Sequence, residues 1–139
     1  MGLEEAVIEY AATTDVPFLT RHDSHVTVLP EKVRRREVLI ARLGCEPVGC
    51  LRFGYFWDTI PFMHMLFVAE PHRAQGIGTQ LVTFWEGEMK RLGHTQVLTS
   101  TQANESAQHF YRKLGYAEVG QFLLPGDPGA ELLLHKLLP

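Results

Sequence analysis

Between Phe62 and Leu92 the chain makes a strand, a glycine turn and a helix, and this unit constrains the fold more than any other stretch. Phe62-Met63-His64-Met65-Leu66-Phe67-Val68 is almost continuously apolar, as a central strand covered on both faces requires. A connector then ends in Gln75-Gly76-Ile77-Gly78, after which Ile77, Leu81, Val82, Trp85, Met89 and Leu92 recur at helical spacing until Gly93 stops them. A doubly covered strand needs layers above and below it, so the rest of the chain must supply them.

The flanking segments alternate in kind. Val7-Ile8-Glu9-Tyr10-Ala11 reads as a first strand, and Thr14-Asp15-Val16-Pro17 offers an N-cap followed by a proline in the first helical turn. Phe18 to Val28 shows no single period, and Leu29-Pro30-Glu31-Lys32 starts a second short helix that ends near Arg36. Val38 to Leu43 and Val48 to Phe56 form an antiparallel hairpin, and Asp58-Thr59-Ile60-Pro61 breaks the run before the central strand. Beyond Gly93, Thr95 to Ser100 reads as a strand. Asn104, Ala107, Phe110, Tyr111 and Leu114 read as a helix closed by Gly115. Two last strands, Tyr116 to Leu124 and Glu131 to Leu138, flank a Pro125-Gly126-Asp127-Pro128-Gly129 loop.

At 139 residues and 15.7 kDa the chain has the length of one domain, spanning 1–139. Its 45% hydrophobic and 21% charged residues suffice for a real core and exclude disorder. Thirteen basic against sixteen acidic residues leave a net charge of -3, so nucleic acid and anionic membrane are not expected partners. The two cysteines, Cys45 and Cys50, bracket a hairpin turn and make no disulfide framework. With no secretory leader pattern and no run of about 18 apolar residues, the expected setting is cytoplasmic, soluble and reducing.

The turn Arg73-Ala74-Gln75-Gly76-Ile77-Gly78-Thr79 has a chemistry of its own. The first backbone N–H groups of a helix lack intrahelical acceptors and sit at the positive end of its dipole, which suits a phosphate. Glycine lets phosphate oxygens reach the backbone, and Arg73 can add a charge-assisted contact, so a pyrophosphate would fit. The alternative is a tight turn into a close-packed helix. A Gly-Lys-Ser/Thr phosphate loop is absent, and Leu81 stands where a dinucleotide fingerprint needs its third glycine.

Downstream the chain reads Asn104-Glu105-Ser106-Ala107-Gln108-His109-Phe110-Tyr111-Arg112-Lys113-Leu114-Gly115-Tyr116. Together with Arg73-Ala74-Gln75-Gly76-Ile77-Gly78 this resembles the GNAT superfamily of N-acetyltransferases in order, spacing and element type. The resemblance implies an α/β (α+β) fold: a mixed, mostly antiparallel sheet with helices on both faces. Its fourth and fifth strands, Phe62 to Val68 and Val97 to Thr101, would be parallel and splayed around the cofactor. It also implies acetyl transfer from acetyl-CoA, without a metal, to a primary amine of a small molecule or peptide. Backbone groups of Leu66, Phe67 and Val68 would pair with the pantetheine amides as an added strand would. The pyrophosphate would rest on the N–H groups of Gln75, Gly76, Ile77, Gly78 and Thr79 beside Arg73 and Ala74. Asn104 would lie near the pantetheine, and Tyr111 would contact the cofactor and act as general acid toward the leaving thiolate. Long C-terminal strands pair subunits in many members, which leaves a homodimer open.

Many relatives carry a glutamate base on one of the two splayed strands, and here neither strand holds a carboxylate. His64 is the titratable residue of the first strand and is the candidate base, set against a structural histidine or deprotonation by water. A CoA-binding sensor without turnover is therefore the alternative function. On the acceptor side, Phe53, Tyr55 and Trp57 alternate onto one strand face ahead of Asp58 and form either an aromatic wall or part of the core. His22-Asp23-Ser24-His25 is read as a loop, not a metal site, and Lys32 with Arg34, Arg35 and Arg36 as a solvated helix face.

Overall fold

Apolar alternation in the hairpin and two short helices against one of its faces build the first half of the molecule. A computed structural model describes residues 5–24 and 26–139. In chain order its elements are β1 (Val7–Tyr10), α1 (Val16–His22), α2 (Leu29–Arg34), β2 (Val38–Leu43), β3 (Glu46–Phe56), β4 (Ile60–Val68), α3 (Ile77–Arg91), β5 (Gln96–Gln102), α4 (Ala107–Lys113), β6 (Ala117–Phe122) and β7 (Glu131–Leu137). The seven strands form one mixed sheet in the order β1-β2-β3-β4-β5-β7-β6. Two compact units divide the chain, Met1–Phe53 with Met65–Gly87 and Gly54–His64 with Glu88–Pro139.

In the first unit β2 is buried on both faces. Val38 and Ile40, with Cys50 of β3, meet Phe18 and Leu19 of α1 and Leu29 and Val33 of α2 in one apolar cluster. Helices as short as α1 and α2 are marginal alone, so this burial and not propensity holds them. Leu39, Ala41, Leu51 and Phe53 alternate to the other face, where Phe53 packs on Trp85 of α3 with ring centroids 5.8 Å apart. Trp85 is fully buried, and truncating such a side chain costs about 3–5 kcal/mol.

Charged groups tie the helices to the strands. Arg42 of β2 holds Asp15 at 2.7 Å and Glu9 at 2.6 Å, and Asp15 also accepts the Ala12 N–H at 2.8 Å. Arg52 of β3 holds the buried Asp23 at 2.6 Å, just past the end of α1. Of the solvated basic face expected over residues 32–36, Arg34, Arg35 and Arg36 are exposed, and Lys32 alone departs from it. Lys32 turns inward to the Glu37 carboxylate at 2.8 Å and to the Phe53 carbonyl. Arg34 and Arg35 pair with Glu31, while Arg36, at φ 58°, sets its guanidinium 3.9 Å over the Tyr10 ring.

In the second unit β5 runs antiparallel to β7 from Gln96–Leu137 to Gln102–Glu131, and β7 pairs in turn with β6. The parallel ladder of β4 with β5 passes through Phe62–Leu98 and Met63–Thr99. The tight turn from β3 into β4 puts Trp57 at φ 54° and Asp58 at φ 61°, closed by the Thr59 N–H on the Phe56 carbonyl at 3.2 Å. Trp57 thus lies outside the strand and is 78% exposed, Phe53 is core, and Tyr55 packs beside His94 at 5.6 Å. The aromatic wall is not formed, because the left-handed turn takes Trp57 off the pleat. Among the described residues no helix is long and apolar enough to cross a membrane.

The Asp23–Arg52 pair yields a test of this architecture. Asp23→Ala removes the carboxylate that faces a largely buried guanidinium, and urea unfolding should show a loss of about 3 kcal/mol.

Candidate functional site

The site residues of the first unit follow from how β4 ends. In the β2–β3 hairpin the register passes from Ala41–Gly49 to Arg42–Pro47, which makes Val48 the extra residue of a bulge. Its carbonyl accepts the Ala69 N–H at 2.8 Å, pinning the chain where it leaves β4. At the neighbouring Gly49 a Cβ would stand 2.8 Å from the Phe67 carbonyl oxygen and 3.4 Å from Cδ1 of Leu81. Gly49 therefore sets how closely β3, the end of β4 and α3 approach one another. The sequence reading missed it; a glycine inside a strand was the available signal. Leu66, Phe67 and Val68 emerge from this contact half-buried.

The chain then makes a short turn at 70–72, with Arg73 extended, Ala74 at φ 62° and Gly76 at φ 83°. The first bond of α3 runs from the Gln80 N–H to the Gly76 carbonyl at 3.0 Å, so the N–H groups of Ile77, Gly78 and Thr79 have no acceptor inside the helix. Ile77 is buried and anchors the turn, while Ala74, Gln75, Gly76 and Thr79 are exposed. Gly76 is required by its left-handed backbone and not by crowding, since a Cβ there would meet nothing within 4 Å. Arg73 donates from Nε to the Val68 carbonyl at 2.8 Å, and its guanidinium lies 5.9 Å from the centre of the Phe67 ring. Open donors at the positive end of a fifteen-residue helix, next to an exposed arginine, fit a pyrophosphate.

The second unit holds Tyr111, Asn104 and His64. Tyr111 is 7% exposed on α4, edge-on to Phe110 at 5.2 Å and to Tyr116 at 5.8 Å. Burial pushes its phenol up to about 12, opposed by a hydrogen bond with Thr99 and assisted by the charge of Glu105. Thr99 itself donates to the Met63 carbonyl at 3.0 Å, which ties β5 to β4 beside the phenol. Asn104 is exposed between β5 and α4, and its amide carbon is 3.9 Å from where a Cβ on Gly129 would stand. His64 is exposed on β4, just past the last pair of the β4–β5 ladder, with its ring 5.3 Å from that of Phe62. A cavity of about 190 Å³ at the start of β4 and β5, lined by Thr59, Ile60, Pro61, His94 and Gln96, contains none of the sequence-predicted site residues.

Among the described residues no group of three or more His, Cys, Asp or Glu could hold a metal ion. Asp23 is engaged by Arg52, and His25 of the same segment lies outside the described residues. Both cysteines are free thiols, and burial pushes that of Cys50 up to about 12.

A β4 edge, a left-handed turn opening a helix, and a buried tyrosine on the helix after β5 are the features that known proteins can be compared on. The Acetyltransferase (GNAT) family model matches residues 5–116, and the chain belongs to that family of acyltransferases. Ard1 from Thermoplasma volcanium superposes with a TM-score of 0.85 at 14% identity, over 97% of this chain and 99% of that one. Arabidopsis thaliana Naa50, in complex with the bisubstrate analogue CoA-Ac-MVNAL, has a TM-score of 0.76 at 15% identity over 95% and 98%. Ribosomal-protein-alanine N-acetyltransferase from Brucella melitensis has 0.79 at 20% over 95% and 99%. These likenesses establish the fold. No curated protein sequence matches the chain.

Two measurements probe this geometry. Gly49→Ala must displace the Phe67 carbonyl, and denaturant unfolding should report a loss of about 1–3 kcal/mol. For Tyr111 the folded phenol keeps its proton above the ordinary value of 10, so its contribution to stability is whole below about pH 10 and is lost as pH rises toward about 12. Tyr111→Phe should flatten that part of the alkaline stability profile.

Proposed function

We propose that the chain is one acetyl-CoA-dependent N-acetyltransferase domain over residues 1–139, moving an acetyl group to a primary amine by direct attack on the thioester. The observation that carries this is the turn from Arg73 to Thr79, with left-handed Ala74 and Gly76 ahead of the unpaired N–H groups of α3. Those N–H groups, with Arg73, would hold the pyrophosphate, and the backbone of Leu66 to Val68 would pair with the pantetheine amides. Asn104 can donate to and accept from the same arm. Acetyl-CoA supplies the activated acyl group.

The chain's own residues then have three tasks. A backbone N–H of Phe67 or Val68 would receive the negative charge that develops on the carbonyl oxygen. Tyr111 would hold the proton required by the departing sulfur. In water a phenol at about 12 is a poor acid for an alkyl thiolate, whose ordinary value is near 8.5. Desolvation raises both groups, however, as it does the buried Cys50 thiol, so a sulfur held away from water would come closer to the phenol in basicity. Proton removal from the acceptor is open to His64 or to water.

A peptide amine is the acceptor class we put first, ahead of a small-molecule amine. The support is the bisubstrate analogue CoA-Ac-MVNAL bound by one structural neighbour and the ribosomal-protein-alanine acceptor named for another. A screen of alanyl, methionyl and seryl peptides and small primary amines with acetyl-CoA, reading free thiol, tests the assignment. Tyr111→Phe should lower the rate by about a hundredfold or more while leaving the CoA dissociation constant in place. Tight CoA binding with no thioester consumption across the panel would make the protein a CoA sensor. If saturating acetyl-CoA fails to raise the melting temperature, the cofactor itself is wrong.

A further inference from the structure

An acceptor ammonium must lose a proton before its nitrogen can attack, and neither β4 nor β5 carries a carboxylate. The structure brings a different group to β4. His22, the last residue of α1, is half-exposed and stacks on the Phe67 ring with centroids 4.2 Å apart and planes at 21°. Phe18, one helical turn earlier on the same face, meets the His22 ring edge-on at 4.8 Å. Among the described residues His22 makes these ring contacts and no hydrogen bond or ion pair. The imidazole is thus positioned by its ring, one face on Phe67 and an edge contact to Phe18, and not by a hydrogen bond to a described residue.

We infer that His22 is the general base, taking the acceptor's proton directly or through one water at the Leu66–Val68 segment. The inference rests on the acetyltransferase reading above, which puts the thioester on that segment. One proton of the acceptor ammonium passes to the neutral imidazole and on to solvent. The nitrogen–carbon bond forms as the carbon–sulfur bond breaks, and the sulfur leaves with the proton of the general acid. The second nitrogen proton restores that acid, so the acetamide, the thiol and one released proton balance the step.

Charged groups border the ring from the elements around it. Arg21 and Asp23 flank His22 in the chain, and Arg52 of β3 holds Asp23 at 2.6 Å. The Arg73 guanidinium lies 5.9 Å from the centre of the Phe67 ring, and Leu66 to Val68 of β4 bear no charge. Imidazole is the side chain that exchanges protons nearest neutrality, which is what a base working on an ammonium at neutral pH requires.

The test uses the full chain, acetyl-CoA and the best acceptor of the amine screen. His22→Phe keeps an aromatic face on Phe67 and removes the nitrogens; His22→Gln serves if the phenylalanine variant misfolds. The expected result is a rate lowered about a hundredfold or more at neutral pH, loss of the acidic limb of the pH–rate profile and an unchanged CoA dissociation constant. Independently of turnover, adding CoA should move the His22 ring proton resonance, assigned by its absence from the variant. A variant with wild-type rate and profile would overturn the assignment, as would removal of the acidic limb by His64→Ala instead or a His22 resonance unmoved by saturating CoA. Absence of turnover by the unmodified chain on every amine would overturn the acetyltransferase reading itself, a separate result.

Discussion

At Gly49 the backbone of β3 comes so close to the Phe67 carbonyl that a single added carbon would stand 2.8 Å from it. Much of the first unit depends on that approach. It sets the position of the last residues of β4, and the adjacent bulge at Val48 clamps Ala69 as the chain leaves the strand. It also lets Leu81 of α3 settle on the same spot, so the helix start inherits its place from the sheet. The open donors of that helix start follow a turn in which Ala74 and Gly76 both lie in the left-handed region. An alanine in that region costs on the order of 1 kcal/mol, which the anchors on either side must offset.

Desolvation is the second organising influence, and it acts on chemistry more than on shape. The same burial that packs Tyr111 and Cys50 into apolar surroundings pushes both groups up to about 12. For Cys50 the consequence is an inert thiol. For Tyr111 it is a phenol that keeps its proton well above the ordinary value of 10. Acid strength at this position is therefore a property of the environment and not of the side chain alone.

Much of the fold was legible because it is written in periodicity and punctuation. The strand from Phe62 to Val68, the stop at Gly93 and the helix from Ile77 could be read from spacing, and the structure places them within a residue or two at each end. Other features resisted for physical reasons. Residues 18–22 show no period because α1 is barely two turns long and is stabilised by Phe18 and Leu19 against β2 and β3. Lys32 looks like one more surface cation until Glu37 and the Phe53 carbonyl are folded around it. Trp57 alternates correctly with Phe53 and Tyr55, yet a turn with two left-handed residues carries it out into solvent.

By itself the sequence determined the order of elements, the glycine turn that opens a helix, the Asn104 to Tyr116 segment and through them the family. These are local in origin: hydrophobic period, chain stops and donors left open by helix geometry depend on residues a few positions apart. Tertiary structure alone decided that Gly49 governs the end of β4, that burial retunes Tyr111, and that His22 lies on the Phe67 ring. Each depends on groups far apart in the chain meeting at contact distance. Steric exclusion, desolvation and ring stacking fall off within a few ångströms, so only the folded chain can say which groups feel them.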